Sequence, residues 1–452
     1  MKVVKFGGTS LASAEQIEKI GAIIKSDQDR RIVVVSAPGK RHPDDVKVTD
    51  LLINTARNYL DGQDCGHSIS KVIERYTDIA EDLGIDKKFI KYIQNDIKNL
   101  INTDIDNEDA FMDSMKAAGE DNCAKLVSEY LRSLGVEANY VNPKVGGMIL
   151  SDEPGNARIL EESYEKLRTL RDKPGVTVFP GFFGYSEMGK IVTFPRGGSD
   201  ITGAILAAAI NADIYENFTD VDSVFVANPL IVNQPVSVEE ITYREMRELS
   251  YAGFSVFHDE ALEPVFHADI PVVIKNTNNP SSPGTRIVPN RKTGRHPIVG
   301  IAANDGFCSI YVSKYLMNRE IGFGRRILQI FEEEDISFEH TPSGIDNISI
   351  IVGEDNFDIE VEKRVEQRLR NELKADEVTI ERGLALVMIV GEGMRKSKGV
   401  AAKACTAFSR ASINLEMINQ GSSEVSMMFG IKATEAPNAV RALHSEFFPA
   451  TN

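Results

Sequence analysis

Hydrophobic positions near the N-terminus follow the periods of a strand, a helix and a second strand. Residues 3–6 form a short run rich in β-branched side chains, and isoleucines at positions 17, 20 and 24 then recur at helical spacing. Ser13, with Gln16 three residues later, is typical of a helix start. Residues 32–35 are a continuous apolar run, typical of a strand covered on both faces. This order predicts a β-α-β unit and therefore an α/β domain with a mainly parallel sheet.

The next part of the chain, residues 54–134, is polar with apolar residues at helical spacing and predicts a helical layer beside the sheet. Its last helix places apolar residues of 123–134 on one face and ends before Gly135, with Glu120 expected near its start. Strand patterns return at 177–179 and 191–194, with a hairpin expected around 187–190. A Gly-rich segment, 196–200, then precedes a helical pattern at 201–210. We therefore expect a second strand, loop and helix in succession.

A stretch rich in Pro, Ser, Gly and basic residues, 278–297, follows an apolar run at 270–274 and predicts a domain boundary. Beyond it the sequence repeats with a period of 77 residues. Gly322, Phe331, Ile336, Glu339, Gly344 and Ser349 recur as Gly399, Phe408, Ile413, Glu416, Gly421 and Ser426. In each copy a helical stretch precedes two strands, so we expect two small α+β modules. The predicted domains are residues 1–290, 298–376 and 383–452.

Composition and charge exclude several classes of protein. The 452 residues are 42% hydrophobic and 26% charged, as in folded globular proteins, and the formal charge of −16 disfavours nucleic acid and anionic lipid as partners. The 4 cysteines form no C-x-x-C pair, which disfavours a zinc cluster or a disulfide framework. No apolar run has the length of a membrane span. We therefore expect a cytoplasmic protein that binds neither nucleic acid nor membrane.

Two glycine-containing segments combine groups suited to anions, although an ordinary turn or helix cap explains each of them alone. Lys5 stands at a strand end before Gly7 and Gly8, where backbone N–H groups can face a phosphate. Residues 196–200 offer Arg196 for a carboxylate, a hydroxyl, and the acidic Asp200.

Further along, Thr219 and Asp220 follow a strand and could lie near nucleotide or magnesium, although a simple turn is the more ordinary explanation. His258 and His267 belong to no catalytic pattern, and we assign them no catalytic role.

The segments KFGGTS, SAPGK, KVTDLL, AAGED, PGFFGY, PRGGSD, NFTDVD and SYAGFSVFHDEAL, in this order and before the repeated pair, resemble the aspartokinase family over essentially the whole chain. The resemblance implies an amino acid kinase fold, an open α/β/α sandwich, followed by two ACT domains that bind amino acids. We expect the stand-alone form. The implied reaction transfers the γ-phosphoryl group of ATP, with Mg²⁺, to the side-chain carboxylate of L-aspartate. Because that nucleophile is already an anion, positioning and local positive charge carry the chemistry.

The resemblance also implies roles for individual residues. Lys5, with the backbone of Gly7 and Gly8, would contact phosphate oxygens, Arg196 the α-carboxylate of aspartate, and Glu120 its α-ammonium. Asp200 would organise the lysine or magnesium. The remaining expected contacts are Ser36, Thr49, Phe182 and Ser199 for aspartate, and Thr219, Asp220 and Phe225 for ATP.

The sequence departs from the family pattern in the nucleotide segment. Phe225 stands where a tyrosine is usual, Leu230 where an arginine is usual, and Ser255 where a second lysine is usual. The departures concern the ATP contacts more than the aspartate contacts. Loss of one buried donor to phosphate would cost about 2 to 4 kcal/mol unless another group replaces it.

The expected effector contacts lie in the first ACT domain and are Met317, Gly322, Phe323, Gly324, Ser337, Phe338 and Glu339. The acidic Glu339 favours lysine over threonine as feedback inhibitor, although hinge and packing roles explain the same residues equally well. Pairing of ACT domains predicts a homo-oligomer, either a dimer or a dimer of dimers. Two alternatives stay open from the sequence. They are a kinase for another acidic amino acid such as glutamate, and a catalytically silent amino acid sensor.

Overall fold

The computed structural model describes residues 1–102, 107–254, 256–293, 296–421 and 425–449. The chain forms two compact units. Unit 1 comprises residues 1–224, 237–250 and 255–291, and unit 2 comprises residues 225–236, 251–254 and 292–452. Among the described residues, no helix is long and apolar enough to cross a membrane.

Unit 1 contains two sheets. Its strands are β1 (Lys2–Phe6), β2 (Arg30–Val35), β3 (Ala138–Tyr140), β4 (Ile149–Leu150), β5 (Val176–Pro180), β6 (Phe183–Ser186), β7 (Ile191–Thr193), β8 (Ile214–Thr219), β9 (Glu240–Thr242), β10 (Val272–Asn276) and β11 (Thr285–Val288). The main sheet has the order β3-β5-β2-β1-β8-β10-β11-β9 and is parallel except where β11 meets β10. A small sheet has the order β4-β6-β7. The mainly parallel α/β sheet predicted from the sequence is confirmed.

The helices of this part of the chain lie between the strands in sequence, and a run of four between β2 and β3 is the predicted helical layer. They are α1 (Ala14–Lys25), α2 (Val48–Leu60), α3 (Gly66–Asp82), α4 (Lys87–Asn99), α5 (Glu108–Ser133), α6 (Pro143–Gly146), α7 (Glu162–Arg168), α8 (Gly198–Ala209), α9 (Tyr243–Tyr251) and α10 (Leu262–His267). The predicted start of α1 is confirmed, since the Ser13 side chain accepts a hydrogen bond from the Gln16 backbone. Gly135 has φ +77° just after α5, as the predicted helix end requires.

One detail of the helical prediction is wrong. Glu120 lies in the middle of α5, which begins at Glu108, and not near a helix start. The apolar spacing that we used begins only at residue 123, because α5 is buried over most of its length and has no clear polar face.

The main sheet is buried on both faces. Val4, Phe6, Val33, Val35 and Phe218 belong to an apolar core that they share with side chains of α1 to α5. Helix α8 packs on the sheet beside β1, β2 and β8. Because β1 pairs with β8 in register, Lys5 lies opposite Asn217, while the neighbouring pair Val4 and Glu216 faces the other side. Residues at the carboxyl ends of β1 and β8 are therefore brought to one edge of the sheet.

Unit 2 contains a five-stranded antiparallel sheet of order β13-β12-β14-β16-β15. Its elements are β12 (Gly300–Ser313), α11 (Phe323–Glu333), β13 (Asn347–Gly353), α12 (Ile359–Asn371), β14 (Glu377–Val390), α13 (Val400–Arg410), β15 (Met417–Asn419), β16 (Ser426–Lys432) and α14 (Ala436–Phe447). The predicted repeat is visible in space. Gly322 and Gly399, 77 residues apart, precede α11 and α13 with φ of 80° and 84°.

The two long strands of unit 2 pass through both repeats. The first half of β12 pairs with the second half of β14, and the second half of β12 with the first half of β14, with a register shift between Asp305 and Phe307. The start of β12, which precedes the first repeat in sequence, therefore pairs with the part of β14 that belongs to the second repeat.

Candidate active site

Lys5 and Asp200 form the most buried charged pair expected at the site. The Lys5 Nζ lies 2.5 Å from Asp200 Oδ1, and the lysine side chain is 9% exposed. Asn217 donates to the same oxygen from Nδ2 at 2.6 Å, while its own Oδ1 has no partner among the described residues. Asn217 is the first residue of the NFTDVD segment, and no role for it follows from the sequence. The register between β1 and β8 shows why it is there, since it places Asn217 beside Lys5.

The glycines after β1 allow two backbone segments to touch. A Cβ at Gly39 would lie 2.6 Å from the backbone of Gly8, and Gly39 N donates to Gly8 O at 2.8 Å. The Gly7 N–H donates to Phe218 O at 3.0 Å, so the backbone already engages this amide, and its expected contact with phosphate stays a prediction. The amides of Gly8 and Thr9 have no partner in the part of the chain that the structure describes. They, with Lys5, are the groups that this turn offers to an anion.

Glu120 is a buried carboxyl with one unused oxygen. It is 5% exposed, and its Oε2 has no hydrogen-bond partner in the described ranges of the chain. Burial raises the pKa of Glu120 to about 8, against a smaller lowering by the backbone N–H of Ala37. Close packing explains the glycine of the AAGED motif, because a Cβ at Gly119 would lie 2.8 Å from the Ala37 side chain. Glycine lets α5 approach the end of β2 and brings Glu120 to Ala37.

Arg196 lies in the turn between β7 and α8. Its side chain is exposed and makes no hydrogen bond or ion pair with any described residue. Gly197 has φ +80°, and a Cβ there would lie 2.4 Å from the ring of His258. The conformation and the close approach both require glycine. His258, to which we assigned no role, thus shapes the turn that carries Arg196, and no sequence pattern indicated this contact.

Phe182 and Ser199 come together beside the same turn. Phe182 has φ +75°, which is uncommon for an aromatic residue, and a Cβ at Gly198 would lie 2.6 Å from its ring. The Phe182 N–H donates to the buried Thr202 Oγ1 at 3.0 Å, and its carbonyl accepts from Phe194 N at 2.9 Å. These bonds hold a strained backbone at a residue expected to contact aspartate, and strain of this kind is common at functional sites. Sequence reasoning missed Thr202, which looks like an ordinary helix residue.

A second close contact joins the PGFFGY segment to α8. A Cβ at Gly181 would lie 2.7 Å from the Ser199 side chain. Ser36 directly follows β2, where its backbone N–H donates to Phe6 O at 3.2 Å, and Thr49 lies in the first turn of α2. The expected aspartate residues therefore all belong to unit 1.

The expected nucleotide residues are divided between the units. Thr219 is the last residue of β8 in unit 1, and its Oγ1 donates to Oδ1 of the next residue, the exposed Asp220, at 3.2 Å. Phe225 and Leu230 belong to unit 2, and Leu230 is 94% exposed. Ser255 lies outside the described residues. No group of three or more His, Cys, Asp or Glu suited to a metal ion occurs in the described chain.

Lys275 is a cation near the carboxyl end of β10, but it lies on the wrong face to replace the missing lysine. It pairs in register with Phe218, so its side chain shares the face of Glu216 and not that of Lys5 and Asn217. Burial lowers its pKa.

The expected effector residues lie in unit 2 and differ in their surroundings. Met317 and Phe323 belong to the apolar core of the first repeat, which is a packing role. Gly322 precedes α11 with positive φ, and Ser337 and Phe338 are exposed. Glu339 is half-buried, burial raises its pKa, and it accepts a hydrogen bond from the hydroxyl of Tyr251. Of the acidic and polar side chains expected here, Glu339 is thus the one placed to meet a cation in a partly desolvated setting.

Comparisons with known proteins agree with these features. The amino acid kinase family model matches residues 1–276, and an ACT domain model matches residues 387–447. The chain is 56% identical to aspartokinase 3 of Bacillus subtilis (strain 168) over 448 residues, which cover 99% of both chains. Aspartate kinase from Clostridium acetobutylicum has a TM-score of 0.85 at 36% identity, with coverage of 99% of this chain and 100% of that one.

Two structures of E. coli aspartokinase III are also similar, each at 25% identity and covering 99% of this chain. The complex with aspartate and ADP (R-state) has a TM-score of 0.83 and is covered over 100% of its length. The complex with lysine and aspartate (T-state) has a TM-score of 0.75 and is covered over 99%. The chain therefore belongs to the amino acid kinase family and is an aspartate kinase, as the sequence resemblance predicted.

Proposed function

We propose that this enzyme transfers the γ-phosphoryl group of ATP to the side-chain carboxylate of L-aspartate, giving 4-phospho-L-aspartate, and that a free amino acid, lysine in preference to threonine, inhibits it. The observation that carries the proposal is the presence in unit 1 of two polar groups of complementary kind, each with unused hydrogen-bonding capacity. Glu120 is a buried carboxyl with an unused oxygen, and Arg196 is a guanidinium without a partner in the described chain. An α-amino acid presents the two complementary groups.

Glu120 and Arg196 would hold the ammonium and the α-carboxylate, which leaves the side-chain carboxylate free to attack. Ser36, Thr49 and Ser199 would complete the polar contacts, and the strained Phe182 would form a wall. This arrangement needs no general base, because the attacking carboxylate is ionised at neutral pH.

Lys5 would balance the negative charge on the transferring phosphoryl group, together with the unused amides of Gly8 and Thr9. Lys5 is buried and held by Asp200, whose carboxylate also accepts from Asn217, so the position of the lysine is set before ATP binds. A preorganised cation in a desolvated site is the arrangement that stabilises a phosphoryl-transfer transition state. Thr219, Asp220 and Phe225 would contact the rest of ATP.

Mg²⁺ would arrive with ATP and shield the charge of its phosphates. The described residues build no cage of their own for it. Oδ1 of Asp200 accepts from both Lys5 and Asn217, which leaves Oδ2 as the carboxylate oxygen available to the ion. One carboxylate together with substrate phosphates is an ordinary environment for protein-bound Mg²⁺.

Regulation is assigned to unit 2, where Glu339 would receive the side-chain ammonium of lysine. An effector bound there would compete with the Tyr251 hydroxyl for the same carboxylate. E. coli aspartokinase III, whose structure with lysine and aspartate resembles this chain, supports the choice of lysine. We also propose a homo-oligomer, because the first repeat exposes large apolar side chains at Tyr315, Ile321, Phe338 and Ile345.

The test is ATP-dependent acyl phosphate formation, trapped as the hydroxamate, with aspartate or glutamate as acceptor and with lysine or threonine added. We expect product with aspartate alone, and suppression by lysine more than by threonine. A Glu339→Gln variant should keep the activity and lose the lysine response. Equal inhibition by both amino acids, or product with glutamate, would contradict the assignment. Light scattering of the purified protein measures the oligomeric state, and a monomer would refute that part.

A further inference from the structure

Asp113 is a fully buried carboxylate outside the expected site, and its hydrogen bonds are unusually complete. It lies on α5 and is 1% exposed. Oδ2 accepts from Thr193 N at 2.8 Å and from Gly155 N at 2.9 Å. Oδ1 accepts from Thr193 Oγ1 at 2.9 Å and from Lys116 Nζ at 3.1 Å. A buried carboxylate is tolerated only when donors surround it, so these four bonds fix its position closely.

Thr193 is the last residue of β7 and stands three residues before Arg196. The backbone N–H and the hydroxyl of Thr193 both donate to Asp113. The Thr193 carbonyl accepts from Ala157 N at 3.1 Å. The end of β7 is thereby held from two sides, by α5 and by the loop that contains Gly155 and Ala157. The turn that begins at this point carries the Arg196 guanidinium, so its starting position depends on Asp113.

Asp113 also lies on the same helix as Glu120, seven residues earlier. Seven residues are almost two turns of an α-helix, so the two side chains share a face and are separated by about 10 Å along the axis. One carboxylate thus joins the helix that carries the proposed ammonium contact to the strand that leads into the turn with the proposed carboxylate contact. No other hydrogen bond between side chains or backbone of α5 and β7 appears among the described residues.

We propose that Asp113 is a positioning residue that sets the separation between Glu120 and Arg196, and thereby the affinity for aspartate. The inference rests on the proposed roles of those two residues. The two charges of an α-amino acid are a fixed distance apart, so a shift of either protein partner weakens both contacts at once. The ATP contacts proposed at Lys5 and Gly8 lie on β1 and its turn, which Asp113 does not touch.

The test is the Asp113→Asn variant, which keeps the size of the side chain and removes its charge. An amide offers one acceptor oxygen and turns an NH₂ group toward donors that need an acceptor. We expect the KM for aspartate to rise on the order of 10- to 100-fold, because weakening a hydrogen bond to a charged group costs affinity of that size. The KM for ATP should change by no more than about twofold, since its contacts are elsewhere.

The matched control is Glu216→Gln, another buried carboxylate that loses its charge. Glu216 bonds to Arg30 and lies on the sheet face away from Lys5. The Glu216→Gln variant should lower the melting temperature, as Asp113→Asn should, while leaving the KM values for aspartate and ATP unchanged. Thr193→Val is a milder second variant, since it removes only the hydroxyl donor to Asp113. It should raise the dissociation constant for aspartate, measured by calorimetry without nucleotide, several-fold.

The outcomes separate this inference from the proposed function. If Arg196→Gln leaves the KM for aspartate unchanged, the proposed binding roles are wrong and the inference falls with them. If Arg196→Gln raises that KM but Asp113→Asn and Thr193→Val leave it at the wild-type value, the binding roles stand and the positioning role is refuted. Equal rises in the KM for aspartate and for ATP would also refute it, because general loosening of the fold would then explain the result.

Discussion

Binding of aspartate should release a proton from the enzyme near neutral pH. Burial raises the pKa of Glu120 to about 8 from its ordinary value of 4.5, so in the empty site the carboxyl is mostly protonated at pH 7. An ammonium group beside it favours the ionised form and lowers the pKa again. The proton that held the site neutral therefore leaves when the ligand enters.

The size of the effect follows from the same value. A group with a pKa of about 8 is roughly 90% protonated at pH 7, so about 0.9 protons should be released per aspartate if the pKa in the complex lies below about 6. The affinity for aspartate should rise by up to about tenfold per pH unit as the pH approaches 8 from below, and then level off. A carboxyl with an ordinary pKa would give neither effect in this range.

Calorimetric titration of aspartate in two buffers of different ionisation enthalpy counts the released protons. We expect a release close to one at pH 7 for the wild-type protein and close to zero for Glu120→Gln, which should also bind aspartate more weakly. Zero release by the wild-type protein, or an affinity that falls between pH 6 and 8, would refute the reasoning.

The same carboxyl affects stability without ligand. Between pH 4.5 and about 8 the folded protein holds a proton on Glu120 that the unfolded chain has lost. The free energy of unfolding should therefore fall as the pH rises through this window, by a total on the order of 5 kcal/mol. Urea denaturation at pH 6 and pH 9 should show about 3 kcal/mol of this decrease, because about two of the pH units lie between these values. The decrease should be smaller in Glu120→Gln. An equal decrease in both proteins would assign the pH dependence to other groups.

Three further predictions concern single substitutions. Lys5→Ala should lower kcat about 100- to 1000-fold while aspartate binding, measured by calorimetry, persists; unchanged turnover would contradict the role given to this cation. Gly197→Ala places a Cβ 2.4 Å from His258 at φ +80° and should cost at least about 2 kcal/mol of stability or displace Arg196, seen as lost activity. Glu216→Ala leaves the buried Arg30 unpaired and should lower the free energy of unfolding by about 3 to 5 kcal/mol, measured with urea.

The sequence predicted the elements of this fold well where local patterns have one explanation. The β-α-β opening, the hairpin between β6 and β7, and the 77-residue repeat rest on short-range periodicity and turn chemistry, and all are present. The extent of α5 was wrong because periodicity identifies a helix only by contrast between its faces, and this helix is buried nearly all round.

Site residues were harder to predict, for a physical reason. Lys5 and Asp200 stand in glycine-containing motifs, which mark backbone turns that a sequence displays. Asn217, Thr202 and Asp113 act through contacts between distant segments, and their immediate neighbours in sequence give no sign of those contacts. Such residues become visible only when strand register and helix packing are known.

The expected nucleotide residues also show that charge in the sequence does not by itself predict which side chains meet at the site. The sequence shows that Leu230 stands where the family has an arginine, and the loss of a phosphate contact would follow if the backbone kept the family position. In this structure the Leu230 side chain is almost fully exposed and its segment belongs to unit 2. Lys275, a candidate replacement by charge, faces the other side of the sheet. The charge of Lys275 would suit a phosphate contact, but the register of β10 places its side chain on the face away from Lys5. The cation that register already places at the site is Lys5. We therefore expect loss of the Lys5 side chain to change ATP affinity more than an arginine restored at position 230 would.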